Sequence, residues 1–244
     1  MRTLLLFTGI LLFAQTIYAQ NCNLNENARR YVVRGDVAIK EAKNDQDFIS
    51  AAEEFKKALQ YAPDCPDIYE SIGACYEKSI GKGKFRDIQS YAEAIWAYKK
   101  YLDLKPNLPN KEMVLNTIYE LEYKRDKLCE RLLPPMRLVQ GGYYIGIDYV
   151  SEDIIYSLAP EYYDANSRSL NSYSGAIYFL TRLNAITGKN YRLPYERELN
   201  EFSRWKDREG QSLSYYSSCI YFCQGCRDHG PNCHGDKLLL VLDR

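Results

Sequence analysis

Two stretches of this chain carry the same spaced set of small and aromatic residues, and that duplication restricts the fold more than any other feature. Ala51, Phe55, Ala58 and Pro63 return as Ala94, Tyr98, Tyr101 and Pro106 at the same intervals. Ahead of them, Tyr31, Gly35 and Ala38 return as Tyr69, Gly73 and Tyr76. Intervals of three and four place each set on one face of a helix. Small residues let a second helix come close, and proline ends the helix it follows. Such self-similarity signals stacked helix pairs, which bury a continuous core only by packing on their neighbours. Most of Tyr69, Tyr76, Tyr91, Tyr98 and Tyr101 occupy repeat positions, which makes them core residues.

Between the two halves of the second unit lies Ser79-Ile80-Gly81-Lys82-Gly83-Lys84, a segment that predicts an exposed loop or a helix extension. It lacks the spacing of a phosphate-binding loop. A last helix from Lys111 to Arg131, with Leu115, Ile118, Leu121, Tyr123 and Leu128 on or near one face, caps the stack. The whole pattern resembles the tetratricopeptide repeat (TPR), lengthened by about four residues in the first unit and about nine in the second. The resemblance implies a protein partner for this half.

The N-terminus joins Arg2 to an apolar run over 4–14 and ends in small and polar residues, the pattern of a secretory signal peptide over 1–19. The run is too short to span a bilayer comfortably, and no other segment approaches that length. No transmembrane segment is therefore expected after cleavage. The expected location is exported: periplasmic, cell-surface or secreted. Cys22 raises lipidation as an alternative, although Asn21, directly before it, is not the small residue such a signal places there. Lys+Arg and Asp+Glu each number 32 and balance in both halves, so no basic stripe for nucleic acid exists.

Eight cysteines in an exported chain favour disulfides. Cys22, Cys65, Cys75 and Cys129 are spread over the first half, whereas Cys219, Cys223, Cys226 and Cys233 crowd near the end. Four in each half would let each module close its own pairs, in a connectivity that sequence does not choose. The later cluster also supplies zinc- or copper-type ligands in Cys223, Cys226, His229, Cys233 and His234. Disulfides are the leading reading, no cofactor is expected, and copper or zinc is the lesser alternative.

Leu132-Leu133-Pro134-Pro135 ends the last helix, because each proline disfavours helix in the residue before it. The expected organisation is a helical domain over 20–133, a linker at 134–136 and a second domain over 137–244. Residues 137–148 alternate around Gly141 and Gly142 as a hairpin does. Residues 151–171 read as loop with one short helix. Ser172 to Ile186 carries Ala176, Phe179, Leu180 and Leu183 at helical spacing, with Gly188 placed as its C-cap. Next comes GKNYRLPYERELNEFSRW over 188–205: a short strand, then Pro194 where a helix starts and Glu196 and Glu198 in its first turn. A strand over 237–243 closes the chain.

Gly141-Gly142 with Gly146, the amphipathic helix, and Arg192, Leu193, Pro194, Glu196 and Glu198 together resemble the formylglycine-generating enzyme (sulfatase-modifying factor) family, which has a C-type-lectin-like fold. The resemblance covers most of 137–244 and implies a closing strand that pairs back near the domain's beginning. The fold class expected is thus an N-terminal TPR-like helical stack followed by a small formylglycine-generating-enzyme-like α+β domain. Active members oxidise a substrate cysteine with a copper-binding cysteine pair that follows an R-G-G-S-like phrase. Here no such phrase precedes Cys219, and the domain is less than half the expected size. Cys219 and Cys223 are therefore only weak catalytic candidates, and the matched motif residues take structural roles.

The reading that results is an exported, non-catalytic binding or scaffold protein. By resemblance it serves as an accessory part of an envelope secretion or surface assembly, with a protein partner and a possible glycan or envelope ligand. The alternative is a copper-dependent formylglycine-generating oxidase.

Overall fold

A computed structural model describes residues 22–81, 83–134, 136–138, 144–146, 150–165, 169–170, 172–195 and 241–242. Among them are seven α-helices: α1 (Glu26–Glu41), α2 (Asp45–Leu59), α3 (Pro66–Ser79), α4 (Phe85–Leu104), α5 (Lys111–Leu132), α6 (Glu152–Leu158) and α7 (Tyr173–Thr187). Short strands are β1 (Met136–Leu138), β2 (Tyr144–Gly146), β3 (Tyr163–Asp164), β4 (Ser169–Leu170), β5 (Tyr191–Arg192) and β6 (Val241–Leu242). The chain divides into two compact units. One comprises 1–79 with 93–118, the other 80–92 with 119–244.

The first unit is a stack of helices. Asn25 caps α1 by accepting from the Ala28 N–H at 2.9 Å. Asn44 and Asp47 form a reciprocal capping box that starts α2, satisfying donors that a helix start leaves open. α1 packs on α2, and α2 on α3. The repeat residues make these crossings possible. Gly35 lies so close to Phe55 that a Cβ there would meet the ring at 2.7 Å, and Gly73 stands in the same relation to Tyr98. One pair is twenty residues apart in sequence and the other twenty-five, yet both repeats, within the first unit, make the same glycine-on-ring contact. Ala51, Ala58, Phe55 and Ala94 are fully or almost fully buried, as are Tyr76 and Tyr101.

The longer second insertion is used both as loop and as helix. Residues 80–84 connect α3 to α4, and α4 runs to twenty residues where α2 has fifteen. The added first turns place Phe85 and Ile88 in the core of the second unit, together with Leu128, Cys129 and Leu133. The linker read at 134–136 thus falls inside the second unit, whose core begins with α4 and the later turns of α5.

α6, α7 and β4 supply much of the rest of that core through Ile154, Ile155, Leu158, Leu170, Phe179, Leu180 and Leu183. The Ser172 Oγ accepts from the Gly175 N–H at 3.1 Å to start α7. Gly188 ends it in the left-handed region at φ 67°, where only glycine avoids a steric cost. The hairpin predicted around 141–142 appears as antiparallel β1 and β2. β6 lies between β2 and β5, giving the sheet order β1-β2-β6-β5. The closing strand β6 therefore pairs with the second strand of the hairpin, near the start of the second half.

Three expectations are revised. Residues 151–171 hold α6, a 3-10 turn at Pro160–Tyr162 and the β3–β4 pair rather than mostly loop, because Ile154, Ile155, Leu158 and Leu170 bury apolar surface. Pro194 lies in no helix, and Tyr195 forms a bridge instead of a first helical turn; Leu193, just after β5, is fully buried. Tyr123, assigned to the apolar side of α5, is 65% exposed. The continuation over 196–205, Gly141, Gly142 and most of the closing strand lie outside the described residues.

Candidate functional site

Of the motif residues in the second half that are among the described residues, the structure brings together those of the Tyr191–Tyr195 segment. The Asn184 side chain clamps Tyr191 from both sides: its Nδ2 donates to the Tyr191 carbonyl at 2.8 Å and its Oδ1 accepts from the Tyr191 N–H at 2.7 Å. Arg192 Nη1 donates to the Leu193 carbonyl at 3.1 Å, and its guanidinium sits 4.5 Å from the centre of the Tyr195 ring. Leu193 and Pro194 are buried. These contacts tie a strand end to its surroundings. Glu196, Glu198, Cys219, Cys223, Cys226, His229, Cys233 and His234 lie outside the described residues. Among the described residues no group of histidine, cysteine and carboxylate side chains is arranged to hold a metal ion.

The first four cysteines do not close two pairs. Cys22 and Cys65 form a disulfide with a Cα–Cα distance of 5.6 Å, while Cys75 and Cys129 are free and buried. The correction has a packing cause: each of those sulfurs fills a core position, Cys75 on α3 in the first unit and Cys129 on α5 in the second. Burial pushes the Cys75 thiol up to about 12 and that of Cys129 to about 11. Both are inert as nucleophiles at neutral pH. The sulfur of Cys22, once bonded to Cys65, is not open to lipid attachment.

Polar groups of the first unit cross-link its helices. Lys56 Nζ reaches the Tyr76 hydroxyl at 2.8 Å and carboxylates of Glu93 at 2.9 Å and Glu53 at 3.3 Å. The Tyr76 hydroxyl donates to Glu53 at 2.7 Å, and Tyr98 donates to Glu77 at 2.8 Å. Burial, followed by these carboxylate neighbours, raises both phenols above their usual range. Satisfied hydroxyls of this kind serve packing. Outside the network, Val33 and Val37 stand one turn apart on α1 and are 52% and 45% exposed. They give the stack an apolar contact strip.

The second unit contains an open cleft of about 270 Å³ between the 80–84 loop and α5. Gly83 is left-handed at φ 69°, and its carbonyl accepts from Arg131 Nη2 at 2.9 Å. The buried Asp87 carboxylate accepts from the Gly83 and Lys84 N–H groups at 2.6 and 3.0 Å. Tyr91, Tyr123, Lys124 and Lys127 also line it, with Ile80, Gly81 and Leu128. The glycine–lysine segment was legible as a loop. The tyrosines and lysines gave no signal, because their meeting depends on how α5 is turned toward that loop.

The chain matches no family model. No curated protein and no solved structure is significantly similar to it.

Proposed function

We propose that this chain is an exported, non-catalytic binding protein in which a TPR-like stack engages a protein partner and a reduced formylglycine-generating-enzyme-like domain supports it. The observation that carries the reading is the paired close approach of Gly35 to Phe55 and Gly73 to Tyr98. Both pairs fall on the repeat positions that carry the TPR resemblance, and stacked helix pairs of that kind bind proteins as a class, which is an argument from fold. The exposed Val33 and Val37 strip on α1 supplies the contact surface. Export is supported by the leader-like N-terminus and by the Cys22–Cys65 disulfide, a bond that persists in oxidising compartments. No described helix is long and apolar enough to cross a membrane.

For the second domain, support comes from the hairpin, the capped α7, the Tyr191–Arg192 strand that leads into Leu193-Pro194 and a final strand pairing beside β2. An accessory role in an envelope assembly follows from the resemblance alone. The reading is tested by retention of envelope proteins on the immobilised full chain and on its V33E/V37E variant. A partner held by the first and lost by the second, with equal melting temperatures, supports it; identical retention by both removes the α1 strip. Formation of an aldehyde from a cysteine peptide with Cu(I) and oxygen would establish the oxidase reading instead.

A further inference from the structure

We propose that the Val33 and Val37 strip of α1 is the docking site for an amphipathic α-helix of a partner protein, one whose apolar ridge is flanked by carboxylates. The inference rests on the binding reading above and names the shape of the partner. The repeat supplies the argument. Gly35 corresponds to Gly73, so Val33 and Val37 correspond to Ser71 and Cys75 on α3. Those two α3 positions are 2% and 1% exposed, whereas the valines are about half exposed.

The preceding helix pair is what covers the α3 positions. Ser71 borders a small cavity with Val32 of α1 and Phe55 of α2. The Cys75 thiol is raised chiefly by burial, and Asp36 of α1 raises it further. On α1 the equivalent positions are open to solvent. In stacked repeats each unit meets its neighbours through equivalent positions, and a terminal helix that needs no neighbour has a polar outer face. α1 departs from that rule at two residues one turn apart. Valine is also disfavoured in a helix relative to alanine or the straight-chain residues, so neither propensity nor solvation accounts for the pair. A helix laid along α1 continues the interface that α3 already makes with the helices before it.

The charges beside the valines set the flanks of that helix. Arg29, Arg30 and Lys40 are exposed on α1, as are Glu26 and Glu41. Arg30 lies 3.8 Å from Glu26 in a pair that is largely solvated. Lys40 has the partly buried Asp36 carboxylate in its field. Neither Arg29 nor Lys40 is in an ion pair among the described residues. Carboxylates on the flanks of a docked helix reach these two cations without breaking an existing pair, whereas lysines there would be repelled.

The test is fluorescence anisotropy of labelled, stapled helical peptides about four turns long, titrated with the full chain. One peptide carries leucine at i, i+3, i+4 and i+7 with glutamates beside the stripe. The controls are the same stripe flanked by lysines and an acidic scramble that breaks the stripe. The acidic peptide binds with a dissociation constant of about 10–100 μM, and both controls bind at least about tenfold more weakly. V33A/V37A weakens the acidic peptide by about tenfold at an unchanged melting temperature. No binding up to about 1 mM, equal binding of all three peptides, or an affinity unchanged in V33A/V37A overturns the proposal. So does sedimentation in which the free chain dimerises and V33E/V37E does not, since the strip then holds a second copy. Loss of an envelope protein from V33E/V37E while no peptide binds removes the helix and keeps the binding reading. Peptide binding with no envelope protein retained keeps the helix site and removes the scaffold role.

Discussion

Gly35→Ala is the most direct probe of how the first unit holds together. The new methyl carbon lands 2.7 to 2.8 Å from three atoms at the far end of the Phe55 ring, where carbon–carbon contacts prefer about 3.5–4.0 Å. Phe55 is only 1% exposed, so the ring has nowhere to swing and the two helices must separate. Overpacking of this kind costs about 1–3 kcal/mol. Against it, alanine gains about 1 kcal/mol over glycine in a helix interior. The net expectation is a loss of about 1 kcal/mol. Gly73→Ala loses more, because the Tyr98 ring it meets at 2.7 Å is also held by its hydroxyl bond to Glu77.

A background change reverses the sign. Phe55→Leu removes the ring end that the methyl strikes, so Gly35→Ala on top of it stabilises by about 1 kcal/mol through propensity alone. Urea unfolding followed by Trp96 fluorescence, in a Trp205→Phe background, reads the first unit, where Trp96 packs edge-on against Tyr69. An increase in stability from Gly35→Ala in the presence of Phe55 would refute the close-approach argument. Equal effects in both backgrounds would do the same.

Reduction of Cys22–Cys65, whose partners are 43 positions apart, lowers stability by up to about 4 kcal/mol on the loop-entropy estimate; C22S/C65S should match the reduced wild type in urea unfolding. Cys75 and Cys129, pushed by burial to about 12 and about 11, resist iodoacetamide at pH 8 in the native protein and react once it is unfolded, as peptide mapping will show. Because the folded thiols hold their protons more tightly than the unfolded ones, their contribution is complete below pH 9 and is lost as pH climbs from 9 toward 12; the urea midpoint therefore falls between pH 8 and pH 10.5. Gly188→Ala has room, since the nearest Arg125 atoms are 3.6 Å away, so its cost is backbone strain of about 1 kcal/mol. Gly188→Asn loses less, and thermal unfolding of both variants beside the wild type checks the order.

The sequence revealed local structure well wherever the determinant was itself local. The start and stop of α7 could be read from Ser172 and Gly188, because a cap is a contact between near neighbours. The repeat could be read because its helix–helix contacts recur at matching positions. The 151–171 stretch was misread because no single period runs through it; Ile154, Ile155 and Leu170 declare themselves as core only when α7 is there to cover them. The cysteine pairs failed for a similar reason. An even count does not say which sulfurs come within bonding reach, and two of the four went to packing.

What the sequence alone determined is the helical repeat, the need for glycine at 35, 73 and 188, and the order of hairpin, helix and strand in the second half. Those features depend on residues whose spacing or backbone freedom already contains the answer. Only the tertiary structure decided that the added turns of α4 belong to the core of the second unit and that Cys75 and Cys129 stay reduced. It alone brought Tyr123, Lys124 and Lys127 to the loop around Gly83. The physical reason is rotational: a helix's sequence defines its apolar stripe, but the packing of its neighbours fixes which of the remaining side chains meet, and at what distance.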